Sequence, residues 1–157
     1  DQVLIARRRN QLLTAIQHAG LPLHIYGHHW EQTPFNNVPH FHIHPPLDCT
    51  AMLPLLRRTR VALNMVPSFP SGTHERVFTA MLHGAVSLTQ TGTLIETLFH
   101  DGRDILLYEW KNPEAAIERL QPVLNDPHAL SRIAHAGTLA AQPHTWAQRA
   151  QRMLEAC

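Results

Sequence analysis

The segment of residues 60–90 constrains the fold of this chain most strongly. It begins with an apolar run at 61–66, continues through a loop of Pro, Ser, Gly and Thr, and shows helical spacing over 75–83. Gly84 ends this helix, and a second apolar run follows at 85–89. Strand, loop, helix and strand in this order predict two neighbouring parallel strands joined by a helix.

The same unit places polar side chains where an anion could bind. Free backbone N–H groups and the helix dipole favour an anion at the start of a helix. A basic residue is not favoured there by the helix dipole, and a bound diphosphate would explain Arg76. The alternatives are a surface arginine or a salt bridge to Glu75 or Asp48. The candidate phosphate-binding residues at this helix start are Ser71, Gly72, Thr73, His74, Glu75 and Arg76.

Two of these residues also have a simpler explanation. His74 either hydrogen-bonds a phosphate or sugar, or is an exposed residue beside the true cap, Thr73. Glu75 either contacts a ligand or only stabilises the helix N-terminus through its charge. The loop is too irregular to match a Walker or dinucleotide-binding motif.

Polar residues follow two other predicted strands. Since α/β sheets bind ligands at the carboxyl ends of their strands, these residues are further candidates. The alternatives are turn formation and, for Trp30, a place in the core or at a domain interface. Trp30 could stack on a base, and a glycine before it could allow a nucleotide to approach closely. The candidates are Thr89, Gln90 and Thr91 after one strand, and Gly27, His28 and Trp30 after the other.

The rest of the chain also alternates strands with helices, which indicates an α/β protein with a parallel sheet. Asp48, Asn112 and Asp126 are predicted helix N-caps, and Pro54 lies inside one predicted helix. The predicted strands are 3–6, 22–26, 38–44 (or an extended edge segment) and 104–108. The predicted helices are 8–19, 48–58, 93–99, 113–124, 127–142 and 144–156.

Length and composition limit the classes of protein that fit. The 157 residues suit one domain, and a net charge of +1 predicts no broad field for nucleic acid or a membrane surface. Cys49 and Cys157 lack metal-type spacing, so both are predicted to be free thiols. No apolar run reaches the ~18 residues of a membrane span. We expect a cytoplasmic protein and, since the sequence begins at Asp1 without a methionine, a fragment of a longer chain.

Histidine is unusually frequent, with 13 in the sequence. In an extended segment, His40, His42 and His44 would point to one face and could contribute to a zinc site. No acidic or cysteine partner lies nearby in sequence, so we predict no bound metal and interpret these histidines as exposed or interface residues.

Several segments together resemble group 1 glycosyltransferases of the GT-B fold, nearest to the type related to spore-maturation proteins. They are RVALNM with HERVFTAMLHGAVSLT, the early LHIYGHHW, LFHDGRDILLY before the last strand, and the closing LNDPHALSRIAHAG and HTWAQR. The resemblance extends over about residues 8–154.

The resemblance implies that residues 1–157 form one Rossmann-like, three-layer α/β/α domain, the C-terminal half of a GT-B fold, which binds a nucleotide-diphosphate sugar. The acceptor would be held by a separate N-terminal domain, absent from this sequence, so this fragment alone should be inactive. Family members need no bound metal, because basic residues and a helix N-terminus stabilise the leaving diphosphate. We therefore predict a glycosyltransferase without a cofactor, whose catalytic residues are not readable here.

The chain departs from the family at Thr79, where many relatives carry a glutamate that contacts the donor's ribose. A threonine forms hydrogen bonds but is not a charged bidentate acceptor. Either donor binding differs, or Glu75, one turn earlier on the same helix face, takes part, or the domain has lost function. A non-catalytic interaction module is therefore the main alternative, and a histidine-rich metal-binding domain is a further one.

Overall fold

Helices alternate with strands along most of the chain. The computed structural model describes residues 2–66 and 71–155. The helices are α1 (Gln2–His18), α2 (Cys49–Leu56), α3 (Glu75–Leu82), α4 (Thr93–Leu98), α5 (Pro113–Asn125), α6 (Pro127–Ala141) and α7 (Trp146–Glu155). The strands are β1 (Leu23–Tyr26), β2 (Phe41–His44), β3 (Val61–Leu63), β4 (Val86–Gln90) and β5 (Leu106–Tyr108). Short 3₁₀ turns occupy Trp30–Gln32, Pro34–Asn37 and Gln142–His144.

All strand pairs are parallel, which confirms the predicted α/β class. The hydrogen-bonded ladders form two sheets, one of β1 with β2 and one in the order β3–β4–β5. In the second sheet Val61 pairs with Val86, and Leu88 pairs with Leu106. Every residue of the central strand β4 is buried, as expected for a parallel strand covered on both faces.

The core lies around this central strand. In one cluster, Leu12, Leu13 and Ile16 of α1 pack with residues of both sheets and of α5. A second cluster joins α3 to α4 and β5 through Phe78 and Phe99. The amphipathic spacing of α1 and α3 is what allows each helix to bury one face against the strands.

The predicted helix caps are confirmed. The Asp48 carboxylate accepts from the backbone N–H of Ala51 at 2.8 Å. Asn112 and Asp126 cap α5 and α6 in the same way and are followed by Pro113 and Pro127 in the first turn. These side chains satisfy N–H groups that the helices leave without an internal partner.

Helix α6 approaches the sheet very closely. A Cβ atom added to Gly137 would lie 2.5 Å from the backbone oxygen of Asp104, just before β5. The absence of a side chain at Gly137 therefore sets the distance between α6 and the sheet. Within the described part of the chain, no helix has the length and apolar character needed to cross a membrane.

Two predicted strands are wrong in type or length. Residues 3–6 belong to α1, and Val3 and Leu4 are largely exposed, because a four-residue apolar run fits one helical turn as well as a strand. The strand predicted at 61–66 ends at Leu63, and β3 is only half-buried. Within the described part of the chain, β3 lies at the edge of its sheet beside β4. Cys49 is a free, exposed thiol, whereas Cys157 and the predicted helix end at Ala156 lie outside the described residues.

Candidate functional site

The N-terminus of α3 follows the carboxyl end of β3, as the sequence predicted. His74 is the N-cap, and its Nδ1 accepts from the backbone N–H of Arg76 at 3.2 Å, so the alternative with Thr73 as cap is wrong. The same Nδ1 lies 3.1 Å from Oε2 of Glu75. The Nδ1 atom of His74 cannot accept from Arg76 and donate to Glu75 at the same time. The hydrogen bond that caps α3 therefore requires the neutral tautomer with its proton on Nε2, and this Nε2–H group can donate to a ligand.

The Arg76 side chain is exposed beside this helix start. Neither of the two alternative salt bridges forms, because Glu75 faces His74 and the Asp48 carboxylate caps α2. A ligand contact and a surface arginine both fit the exposed position of Arg76. Among the described residues, none forms an ion pair or side-chain hydrogen bond with Arg76. Ser71 is exposed and Gly72 and Thr73 are half-buried at the same place, while residues 67–70 of the loop lie outside the described part.

A cavity of about 210 Å³ lies between α3 and the start of α7. The Arg149 guanidinium lies 4.8 Å from the ring centre of Phe78 and 5.6 Å from that of Trp146, which is 74% exposed. Thr79 also lines the cavity, but its hydroxyl donates to the backbone oxygen of Glu75 at 3.0 Å. The lining residues are Glu75, Phe78, Thr79, Leu82, His83, His144, Thr145, Trp146 and Arg149.

His144, Thr145 and Trp146 were not among the predicted site residues. The Thr145 hydroxyl caps α7 by accepting from the backbone N–H of Gln148 at 3.3 Å. His144 instead packs against Phe78 and Phe99, and burial, then the charges of Arg152 and Arg149, lower its pKa. The sequence signal for this cavity was Trp146 followed three positions later by Arg149, a spacing that places an aromatic ring and an arginine on the same helix face.

A larger groove of about 670 Å³ lies between α4 and α5 at the end of β5. Of the predicted site residues it includes Thr91 alone. Two of the charged side chains that line this groove, Arg119 and Asp101, already form an ion pair with each other at 2.7 Å. The smaller cavity reaches the first turn of α3 through Glu75, whereas no residue of α3 lines the larger groove.

Thr89 and Gln90 lie at the predicted edge of the sheet, but their side chains are buried. The Gln90 amide accepts from the backbone N–H of Val66 at 3.1 Å and donates to the oxygen of the same residue at 3.2 Å. Asn64 donates to the Thr89 hydroxyl at 3.0 Å, and Tyr108 donates to the Asn64 backbone oxygen at 3.1 Å. Burial raises the pKa of the Tyr108 hydroxyl, which keeps it a neutral donor.

These bonds hold the ends of β3, β4 and β5 together. Asn64, the residue directly after β3, was not among the predicted site residues. A polar residue within the apolar run at 61–66 was the available signal. Thr91 is half-buried, and its N–H donates to the backbone oxygen of Tyr108 at 2.8 Å.

The predicted nucleotide contact after β1 has a packing explanation. A Cβ on Gly27 would lie 2.9 Å from Nε1 of Trp30, so the glycine leaves room for the indole. Trp30 packs against the core, with the Arg9 guanidinium 5.0 Å from its ring centre. His28 is exposed. A nucleotide contact at these residues stays a prediction.

Histidines line the outer face of the β1–β2 sheet. His24 lies between His42 and His44, with ring centres 4.7 Å and 5.2 Å apart, and its Nδ1 is 2.9 Å from Nε2 of His44. Burial, then the two neighbouring rings, lower the pKa of His24. His40 does not join this row as predicted, because it precedes β2 and its ring meets Phe41 edge-on.

Residues 2–66 and 71–155 contain no group of three or more His, Cys, Asp or Glu side chains arranged to hold a metal ion. The histidine row therefore gives no support to the metal-binding alternative.

Solved structures share this fold. HepE from Anabaena in complex with UDP-glucose matches with a TM-score of 0.68 and 14% identity, over 93% of this chain and 44% of that chain. Sucrose-phosphate synthase from Thermosynechococcus elongatus matches with a TM-score of 0.74 and 18% identity, over 95% and 41%. The likeness establishes the Rossmann-like fold of GT-B glycosyltransferase structures. The chain spans less than half the length of these proteins.

Sequence comparison supplies the family. No curated protein matches the sequence significantly. A family profile described as glycosyl transferase-like matches residues 7–155, nearly the whole chain. With the parallel α/β fold and the structural matches, this match shows that the chain belongs to the glycosyl transferase-like family.

Proposed function

We propose that this chain is the donor-binding domain of a glycosyltransferase and binds a nucleotide-diphosphate sugar at the N-terminus of α3. The observation that carries the proposal is the exposed Arg76, which has no partner among the described residues and lies beside a helix N-terminus at the carboxyl end of a parallel strand. Membership of the family supports it. So does the fold shared with HepE, which was solved in complex with UDP-glucose and with UDP and glucose.

The chemistry of sugar transfer suits this arrangement. When the bond from the sugar to the diphosphate breaks, negative charge builds up on the leaving phosphate oxygen. The guanidinium of Arg76, the Nε2–H of neutral His74 and the positive end of the α3 dipole would stabilise that charge. We therefore propose that the donor is bound as a substrate and that no metal cofactor is required.

The cavity beside α3 offers room for the nucleoside. Glu75 and Thr79 line its side nearest the helix start, and Trp146 offers an exposed aromatic ring. A carboxylate can accept from both hydroxyls of a ribose, which Thr79 alone cannot do. Glu75 would thus replace the glutamate that relatives carry at the position of Thr79.

The chain would act as part of a larger enzyme. It covers 44% and 41% of two structurally similar chains, so we propose that residues 1–157 form one donor domain and that another domain holds the acceptor. We further propose that it belongs to the spore-maturation-like subgroup and acts in the cytoplasm. The 157-residue chain alone should then bind a donor without transferring its sugar.

Calorimetric titration with UDP, GDP and their sugar conjugates tests the proposal. Arg76→Ala should weaken binding of the preferred nucleotide about tenfold to a hundredfold, because it removes a charge-assisted hydrogen bond to phosphate. Arg58→Ala is the matched control, since it removes an equal charge just before β3, at the opposite edge of the sheet. Equal losses in both variants would contradict a specific role for Arg76.

A second candidate function is a non-catalytic interaction module. The Thr79 side chain favours this candidate. Its hydroxyl already donates to the Glu75 backbone oxygen, and it carries no charge with which to accept from both hydroxyls of a ribose. A folded protein that binds none of the nucleotides or nucleotide sugars would support this candidate over a donor domain.

A further inference from the structure

We propose that Gln90 is a positioning residue for the anion site, holding the start of the loop that leads from β3 to α3. The inference rests on the proposed function, since it concerns the same site. Gln90 would not touch the nucleotide. It would act through the backbone of Val66, the last described residue before that loop.

The geometry shows how one side chain extends the sheet. The backbone ladder between β3 and β4 pairs Leu63 with Leu88 and ends with a bond from the Asn64 N–H to the Leu88 oxygen at 2.8 Å. Two residues later, the Gln90 side chain bonds both the N–H and the C=O of Val66. It thus supplies the two hydrogen bonds that a further strand residue would have supplied.

The requirement for an amide follows from these two bonds. The group must accept at one atom and donate at the other, and it must be uncharged because it is 95% buried. Around it, the Thr89 and Tyr108 hydroxyls each lie 3.4 Å from Oε1, and Asn64 binds Thr89. Of these neighbours only Tyr108 is titratable, and burial keeps it neutral.

The link to the anion site is through the chain. The loop begins at Val66 and reaches the cap residue His74 and then Arg76. The phosphate-binding groups proposed above all lie between the fixed end at Val66 and the first turn of α3. Loss of the two hydrogen bonds from Gln90 to Val66 should therefore weaken binding of the diphosphate more than binding of the nucleoside.

Gln90→Glu gives a test with a pH readout. A protonated carboxylic acid has one donor and one acceptor, as the amide has, whereas the ionised form can only accept and places a charge beside the Val66 oxygen. Burial raises the pKa of such an acid. Affinities for the preferred nucleoside diphosphate and for its nucleoside are measured in variant and wild type at each pH. The phosphate titrates equally in both experiments, so its effect drops out of the ratio of variant to wild-type affinity.

At about pH 8 the variant should bind the diphosphate about tenfold more weakly than wild type, with little change for the nucleoside. As the pH falls towards about 5, the difference should disappear, because the acid becomes protonated. Gln90→Met, which removes both bonds at similar size, should lose affinity for the diphosphate at every pH and keeps the test valid if the first variant does not fold at high pH.

Ser87→Ala is the matched control. Ser87 is buried on the same strand, and its hydroxyl has no hydrogen-bond partner among the described residues, so its removal should leave affinity unchanged. Folded Gln90 variants that bind the diphosphate as wild type does at high pH would overturn the inference. Equal losses for diphosphate and nucleoside would also overturn it, as general damage to the fold. If the wild type binds no nucleotide, it is the proposed function that fails.

Discussion

The two parallel sheets of this protein are stabilised in different ways. In the β3–β4–β5 sheet, α3 and α6 pack against β4, α5 packs against β5, and every residue of β4 is buried. In the β1–β2 sheet, Ile25 and Phe41 are buried on the inner face, while His24 and His42 are exposed on the outer face. Parallel strands normally need cover on both faces, and the central strand β4 of the three-stranded sheet meets that condition.

The difference also extends to polar groups. At the ends of β3, β4 and β5, polar side chains bond one another away from solvent. On the outer face of β1–β2, imidazole rings bond each other at the surface. We infer that the three-stranded sheet carries most of the stability, whereas the two-stranded sheet is a peripheral part whose stability responds to pH.

The largest expected effect comes from truncating one buried side chain in each sheet. Leu88→Ala in β4 should lower the free energy of unfolding by about 3–4 kcal/mol, because Leu88 is 2% exposed and enclosed on both sides. Ile25→Ala in β1 should cost about 2 kcal/mol, since the thinner layer can relax around the cavity. Urea unfolding measures both, and an equal or larger cost at Ile25 would contradict the comparison.

The next largest effect tests the cover over the three-stranded sheet. Gly137→Ala should cost about 2–3 kcal/mol, because its Cβ would press on the Asp104 backbone and move α6 away from the sheet. Gly84→Ala is the control: its φ of 86° makes a side chain strained, but no atom lies within 4 Å of the added Cβ. Its cost should stay near 1 kcal/mol in the same urea titration. Equal costs would show that α6 can shift freely.

The smallest effect concerns the histidine row. The pKa of His24 is lowered in the folded protein, so the unfolded chain binds protons more readily. The free energy of unfolding is therefore unaffected by His24 above about pH 6.5 and decreases as the pH falls below that value. His24→Asn should reduce the loss of stability between about pH 7 and 5 by a few tenths of a kcal/mol, a small value because the ring is exposed. Urea unfolding at both pH values measures this difference, and an unchanged loss of stability in His24→Asn would contradict a role for the histidine row.

The fold was largely predictable because its signals are local. Asp48, Asn112 and Asp126 mark helix starts, since a cap depends on residues within one turn of it. The strand predicted at residues 3–6 failed because a short apolar run has no period of its own. The division into two sheets depends on which strands hydrogen-bond across the fold, and no single segment contains that information.

The candidate site was predictable only in part. The position of Arg76 at a helix start followed from local pattern, and the structure places it there. Thr89 and Gln90 lie at the expected edge, but their side chains point inward to Asn64 and Val66, which follow β3 more than twenty residues earlier in the chain. The cavity wall at Trp146 comes from a helix some seventy residues later, and only tertiary packing brings it to α3.

The bonds from Gln90 to Val66 have a consequence for sequence variation. Gln90 bonds to main-chain atoms alone, so these two hydrogen bonds do not depend on the identity of the side chain at position 66. Proline is the exception, because it lacks the N–H that Gln90 accepts from. A change of side chain at position 66 therefore leaves both bonds available as long as the amide at position 90 is retained. A loop of new sequence could be grafted after β3 without redesigning the attachment point that holds its first residue.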